Sequence, residues 1–409
     1  MGAMTSKTRI RPSDVQGASR LAVEAIAAVT DLVEAMHRTI ARGPDGADSL
    51  PRAGLGGIPA LVYRGVRGVT RFLGAGIDIA MAPLVPLSAA EPPSRRREAL
   101  LAAVNGVLGD HLASTGNPLA IPMRLRRDGH PLALERAALA AAIPEATGKL
   151  LVLAHGICMS DLQWDREGHD HGAALACDLG YTPVYLHYNS GLHISANGRA
   201  FADTLEELVR EWPVPLEELV ILGHSMGGLV ARSACHYGRL AGHGWLRYLG
   251  RLVFLGTPHH GSPLERAGNW VDVLLGASPY SAPLARVGKV RSAGVTDLRY
   301  GNLLDEDWEG KDRFARAGDR RQPVPLPDGV ACYAIAATEE AKRGRLAAVL
   351  PSDGLVPLDS ALGRHRKPEL ALDFPEGRRW IAPGTGHFDL LCRAEVYARI
   401  RDWLSRGPG

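Results

Sequence analysis

The sequence has no charge excess of either sign, since 47 basic side chains face 44 acidic ones for a formal net charge of +3. A surface built to neutralise a phosphate backbone needs a basic surplus, which excludes nucleic acid as the main partner. Cysteine is scarce. The five present (Cys158, Cys177, Cys235, Cys332 and Cys392) are odd in number, widely spaced and form no CxxC, so neither a disulfide framework nor a zinc knuckle is expected and a reducing compartment fits. No uncharged apolar run reaches the roughly 18 residues of a spanning helix. The N-terminal stretch carries Lys7, Arg9, Arg11, Asp14 and Arg20 without an apolar core, unlike a secretory leader, and a cytosolic location is the expectation.

What remains is an ordinary globular composition, 46% hydrophobic and 22% charged over 409 residues, enough for two or three domains or one elaborated domain. Residues 13–42 read as a helix whose Ala22, Ile26, Val29, Val33, Met36 and Ile40 form one stripe, with Ser13 and Gln16 as a capping box and Gly43-Pro44 as the stop. A second helical stretch, 59–81, places Arg64, Arg67 and Arg71 on one face. Such a face suits peripheral contact with an anionic membrane. The plainer reading is a helix packed on the catalytic domain with its arginines in water. Arg95-Arg96-Arg97 reads as a solvated charge run in a linker.

From about residue 116 the pattern changes. Asp128-Gly129 marks a hairpin turn, and short apolar strands then alternate with helices: 150–154, 184–187, 219–222, 252–255, 330–336 and 380–382. That alternation predicts an α/β fold with a mainly parallel sheet covered by helices on both faces. The expected division is an N-terminal helical region, 1–115, and a catalytic domain, 116–409. Residues 262–329 interrupt the rhythm with no strand-like run and many apolar residues, which predicts a mostly helical cap or lid.

Gly223-His224-Ser225-Met226-Gly227-Gly228 contains Gly-x-Ser-x-Gly. With 47 glycines in the chain, chance placement gives roughly 0.25 such matches, so context must decide. The buried-strand pattern Glu218–Leu222 before it and the helical pattern from Leu229 after it describe a strand-turn-helix elbow that presents the Ser225 hydroxyl above a sheet edge. A serine hydroxyl needs a base. Of fifteen histidines, His387 in Gly384-Thr385-Gly386-His387-Phe388 follows the last strand and can reach back to the elbow. Asp353 in Pro351-Ser352-Asp353-Gly354 is the expected orienting carboxylate, with Asp359 as the competitor. The chain order Ser, Asp, His is that of the α/β-hydrolases.

Oxyanion donors are expected from the amide of Met226, directly after the nucleophile, and from that of Ile157, with Cys158 as an alternative, after the strand ending His155-Gly156. His155, Gly156, Cys158, His224 and His259 are the expected substrate-binding residues. His259 and His260 read as wall or hydrogen-bonding groups, and His155 as structural rather than catalytic. His169-Asp170-His171 lacks a third spaced ligand, and neither a metal nor any other cofactor is expected.

These motifs resemble the α/β-hydrolase lipases and esterases, including bacterial triacylglycerol lipases and PGAP-like deacylases. The resemblance rests on His155-Gly156, Gly223–Gly228, Gly256-Thr257-Pro258-His259-His260-Gly261, Ser352–Val356 and Gly386-His387, and covers about 147–405. It implies hydrolysis of small-molecule or lipid carboxylic esters through an acyl-enzyme, with Ser225, Asp353 and His387 as triad. The chain departs from it in having His-Gly rather than His-Gly-Gly-Gly, and in its first 115 residues. A thioesterase, an acyltransferase, an intracellular polyester depolymerase and a binding protein with a vestigial site are the competing readings.

Overall fold

The computed structural model describes residues 11–24, 26, 94–262, 291–312, 318–339 and 352–406. The chain divides into two compact units, Met1–Pro92 with Ser114–Leu119, and Pro93–Ala113 with Ala120–Gly409. In the first unit residues 12–24 are helical. The helix begins one residue before the expected cap: Pro12 takes the first helical position, where its missing N–H is no loss, and the Asp14 carboxylate accepts from Arg11 N at 2.9 Å. Ser13 and Gln16 are therefore helical residues and not a capping box. The remainder of the 13–42 helix and the arginine-faced stretch 59–81 lie outside the described residues.

The larger unit opens with a helix where the sequence suggested a linker. Helix α1, Arg95–Ser114, buries Ala102, Ala103, Asn105, Gly106, Val107, Gly109 and Leu112. Small side chains make up most of that face, so no stripe of large apolar residues announces it. Its first turn is paired and not merely solvated: Arg97 lies 2.7 Å from the buried Glu98 carboxylate. Strands β1 (Arg124–Arg127) and β2 (His130–Pro131) follow as a hairpin, turned by Asp128 and Gly129 at φ 52 and 75. After α2 (Arg136–Ala142) the α/β alternation sets in.

In order come β3 (Lys149–Ala154), α3 (His171–Leu179), β4 (Thr182–His187), α4 (Ile194–Glu211), β5 (Glu218–His224), α5 (Met226–Ala241) and β6 (Leu249–Leu255). They are followed by α6 (Ala293–Asp297), β7 (Ala331–Thr338), α7 (Leu358–Ala361), β8 (Arg379–Pro383) and α8 (Ala394–Ser405). The eight strands form one sheet in the order β2-β1-β4-β3-β5-β6-β7-β8. β1 is antiparallel to both neighbours, and β4-β3-β5-β6-β7-β8 are parallel throughout.

Burial on both faces explains the continuous apolar runs. Leu150 and Val152 of β3 join Leu219, Ile221, Leu252 and Phe254 in a core with Phe201, Leu205 and Leu229 of α4 and α5. The alternate residues Leu151, Leu153, Val220, Leu222 and Val253 join Leu175 of α3 and Val396, Ile400 and Trp403 of α8. A parallel sheet of this kind brings the carboxyl ends of its strands to one edge, where loops meet.

The expected mostly helical cap is corrected for the residues described between 262 and 329. These hold the five-residue α6 and a 3-10 turn at Asp305–Asp307, with the rest irregular. Their apolar side chains Val295, Leu298, Leu303 and Leu304 belong to the main core. The local backbone is held by side chains in place of a helix ladder, with Asp307 Oδ2 accepting from Leu303 N and Leu304 N at 2.9 and 3.0 Å. Trp270 to Tyr280 lie outside the described residues.

Close packing of α5 on β3 depends on a glycine. A Cβ at Gly227 would sit 2.2 Å from the Ala154 carbonyl oxygen, which is backbone and cannot swing aside. Gly227→Ala should cost roughly 1–3 kcal/mol of stability, read as a lowered urea midpoint with unchanged slope.

Candidate active site

The β5–α5 junction is a strained elbow. Ser225 has φ 53 and ψ −124, a region that side chains other than glycine rarely adopt and that costs about 1–3 kcal/mol. What holds it there is the sheet: Ser225 N donates to Leu255 O on the neighbouring strand at 2.8 Å, and Gly228 N donates to Ser225 O at 3.1 Å. Glycine on either side permits the turn, because a Cβ at Gly223 would meet the Gly228 Cα at 2.6 Å. The hydroxyl thus emerges at the N-terminus of a 16-residue helix. It is buried and has no hydrogen-bond partner.

His387 arrives from the loop after β8. Its Nδ1–H donates to Asp353 Oδ2 at 2.7 Å, and its backbone N–H donates to Asp353 O at 3.0 Å. The other carboxylate oxygen, Oδ1, accepts from Leu355 N and Val356 N at 3.0 and 2.7 Å. Both side chains are at most 2% exposed. With Nδ1 donating, Nε2 carries the ring's lone pair, and it too is buried without a partner.

Two links bring the histidine to the serine. His224 Nε2 donates to His387 O at 3.1 Å, directly before the elbow. A Cβ on Gly256, next to the Leu255 that receives Ser225 N, would lie 3.1 Å from the His387 ring. Asp359 is not part of this arrangement. It is 72% exposed and pairs with Arg364 at 3.4 Å.

The loop after β3 forms the opposite wall. A Cβ at Gly156 would lie 3.1 Å from Ser225 Cβ, so this loop crosses directly over the elbow. Among the described residues, the amides of Ile157 and Met226 donate to no protein acceptor. Cys158 N is already committed, donating to Ser190 Oγ at 3.0 Å, which removes it as the alternative oxyanion donor. Cys158 has φ 58, and its thiol is pushed up to about 12 by burial, so it is an inert packing group.

Helix α1 backs this loop: a Cβ at Gly106 would lie 2.2 Å from Cys158 Sγ and 2.9 Å from Cys158 N. Ser292 Oγ and Asn189 Nδ2 donate to the carbonyls of Gly106 and Gly109 at 2.6 and 2.9 Å, pinning the helix. Further along, Arg126 bridges the buried carboxylates of Glu98 and Asp161 at 2.8 and 3.2 Å.

The other expected residues divide. The His155 ring stacks on Tyr188 at 4.4 Å, its Nδ1–H donates to Gly156 O at 2.8 Å, and burial pushes it down to about 3. It is a neutral spacer under the loop. Burial also pushes His224 well below its ordinary value, with the nearby His387 adding to the effect. His259 lies elsewhere: its ring meets Phe254 edge-on at 4.7 Å and accepts from Arg232 Nη1 at 3.3 Å, in the core beneath α5. His260 Nδ1 accepts from Arg321 at 2.8 Å. His169 and His171 bond each other at 2.8 Å, and His171 Nε2 donates to Leu390 O at 2.9 Å, which leaves them as a structural pair. No group of three metal-ligating side chains occurs among the described residues.

Sequence reasoning missed Tyr188, Ser190 and Gly106. The first two stand just past β4, where the carboxyl end of a parallel strand is a usable signal. Gly106 carries none.

Residues 181–317 match a family profile described as a PGAP1-like alpha/beta domain. Among curated proteins none matches the chain. Of solved structures, a Bacillus licheniformis lipase, BlEst2 in mature form, is 20% identical, with 63% of this chain and 91% of that chain covered and a TM-score of 0.41. Aspergillus fumigatus lipase B is 14% identical, with 68% and 60% covered and a TM-score of 0.40. The Pyrococcus furiosus esterase Pf2001 is 13% identical, with 64% and 85% covered and a TM-score of 0.37. Over residues 181–317 the chain is thus similar to a PGAP1-like alpha/beta domain, in keeping with its mainly parallel sheet. Among the described residues no helix is long and apolar enough to cross a membrane.

The elbow makes a prediction that does not depend on chemistry. Ser225→Gly removes both the strained side chain and a buried hydroxyl without a partner, at the cost of glycine's greater freedom when unfolded. It should raise stability by roughly 0.5–2 kcal/mol, measured by urea denaturation.

Proposed function

We propose that the protein hydrolyses carboxylic esters through an acyl-enzyme on Ser225. The observation that carries this reading is the buried Asp353–His387 bond at 2.7 Å, which leaves Nε2 as an acceptor on a loop that His224 ties to the end of β5, directly before the strained Ser225. Ser225 Oγ attacks the ester carbonyl carbon and His387 Nε2 takes the hydroxyl proton. Asp353, held by two backbone amides, keeps the imidazole in the right tautomer and stabilises the imidazolium that forms. The tetrahedral oxygen gathers its charge between the uncommitted amides of Ile157 and Met226, near the positive end of α5.

Collapse passes the proton from His387 to the departing alcohol oxygen. Water, deprotonated by the same imidazole, then attacks the acyl-enzyme and frees the acid. No step requires a metal or a cofactor. Of the neighbouring histidines, His155 is too weak a base at about 3 to serve, and His224 is committed to the His387 carbonyl.

A fluorophosphonate probe should label Ser225, and Ser225→Ala should abolish both labelling and turnover of p-nitrophenyl esters while the fold persists. Unlabelled wild-type protein would point instead to a vestigial site. A series of acyl chain lengths, run beside acyl-CoA and polyester granules, separates esterase from thioesterase and depolymerase activity.

Asp353→Asn keeps the shape of the orienting group but offers an N–H to His387 Nδ1, which forces the wrong tautomer. We expect kcat to fall by on the order of 10⁴-fold. Gly106→Ala should push the Cys158 turn, and with it the Ile157 amide, out of place. The expected signature is a kcat lowered by roughly 10–10²-fold with KM little changed.

A further inference from the structure

Helix α5 carries a second chemical feature on the face beyond its catalytic end. Arg232, Cys235, His236 and Arg239 recur at steps of three, one and three, which puts them on one stripe. The stripe lines a cavity of about 110 Å³, closed on the other side by Leu246 and the segment 324–330. The space exceeds several water molecules, each about 30 Å³, and has room for a group of phosphate size.

At its base lies a buried cation. Arg232 is 4% exposed, and of its five N–H groups one Nη2 hydrogen goes to Val324 O and one Nη1 hydrogen to His259 Nδ1 at 3.3 Å. Its Nε–H has no partner. Both acceptors are neutral, because burial keeps His259 uncharged. No carboxylate pairs with Arg232 or Arg239 among the described residues, whereas the nearby Arg321 has Asp319 at 3.3 Å.

The two thiols within reach, Cys235 and Cys332, supply no charge. Burial pushes both up, Cys332 to about 12. Burial, with Arg321 adding to it, accordingly pulls Arg232 down to about 9, yet still above neutral pH. A guanidinium is costly to bury without a counter-charge, and this one has none among the described residues. His236 is half-buried and Arg239 is exposed, so both stand toward the mouth. Asp328, the one acid in the wall, is exposed to water, which screens it.

We propose that this cavity is a binding site for a small oxyanion of the phosphate type, held by Arg232 from below and by Arg239 and His236 at the rim. Planar guanidinium forks match the oxygens of such a group, and a dianion suits two arginines better than a monocarboxylate does, with His236, which burial and Arg239 pull below its ordinary value, serving as a neutral N–H donor. The ligand is free phosphate or the terminal phosphate of a larger ester. The site is separate from Ser225 and stands whether or not the ester-hydrolase reading holds.

Calorimetric titration of the full chain tests it, using inorganic phosphate, glycerol phosphate and acetate at matched ionic strength in chloride. Saturable one-to-one binding of either phosphate is expected, weakened at least about tenfold by Arg239→Gln and unchanged by Ser225→Ala. Binding of inorganic phosphate identifies the free ion, and binding of glycerol phosphate alone identifies an ester. Arg239 is exposed, so its replacement spares the fold. Arg232→Lys, with thermal unfolding as a check on folding, is the second variant and should also weaken binding. No heat beyond the chloride control, equal binding of acetate, or full affinity in Arg239→Gln would overturn the proposal.

Discussion

The Asp353 carboxylate ties together the parts of the site that the chain delivers separately. It arrives on the connection after β7, His387 on the connection after β8, and the two are joined by a side-chain bond at 2.7 Å and a backbone bond at 3.0 Å. Because Leu355 N and Val356 N saturate one oxygen, the other is free to hold the imidazole in a single orientation. Three hydrogen bonds to the buried carboxylate offset much of its desolvation cost and fix its orientation, and the histidine inherits that rigidity. His224 then ties the His387 loop back to the end of β5, so the bond network closes through the sheet.

The elbow works by the opposite principle. Asp353 is satisfied, whereas Ser225 is strained and its hydroxyl lacks a partner. Tight packing pays for this: glycines at 223 and 227 let α5 close onto β3 until there is no space for the turn to relax. The parallel sheet supplies the stability, with apolar side chains covered on both faces. That stability offsets the strained backbone held at the carboxyl edge.

Much of this was legible in the sequence because it depends on local patterns. Apolar runs of three to seven residues marked six strands of the sheet, and Gly-x-Ser-x-Gly between a strand and a helix marked the elbow. Asp353 and Asp359 could be ranked but not separated on sequence, since the difference is exposure: one is sealed against His387 and the other lies in water beside Arg364. Helix α1 stayed hidden because its buried face is mostly alanine, glycine and asparagine, with only Val107 and Leu112 as larger apolar residues. The part of the 262–329 interval described here looked helical because it is apolar, yet its order comes from side-chain bonds of Asp307 and Ser233 to backbone. His259 looked like a site residue from its position after β6, but its ring turns into the core.

Helix α1 has a practical bearing on where the α/β part of the chain begins. A cut at residue 115, where composition shifts, would strip the support from the back of the turn at Cys158 and leave a trough in place of a wall. Ile157 would then be free to wander. A fragment that keeps the β3 loop braced must therefore start upstream of Arg95, because this segment is a buttress of that loop and not a tether.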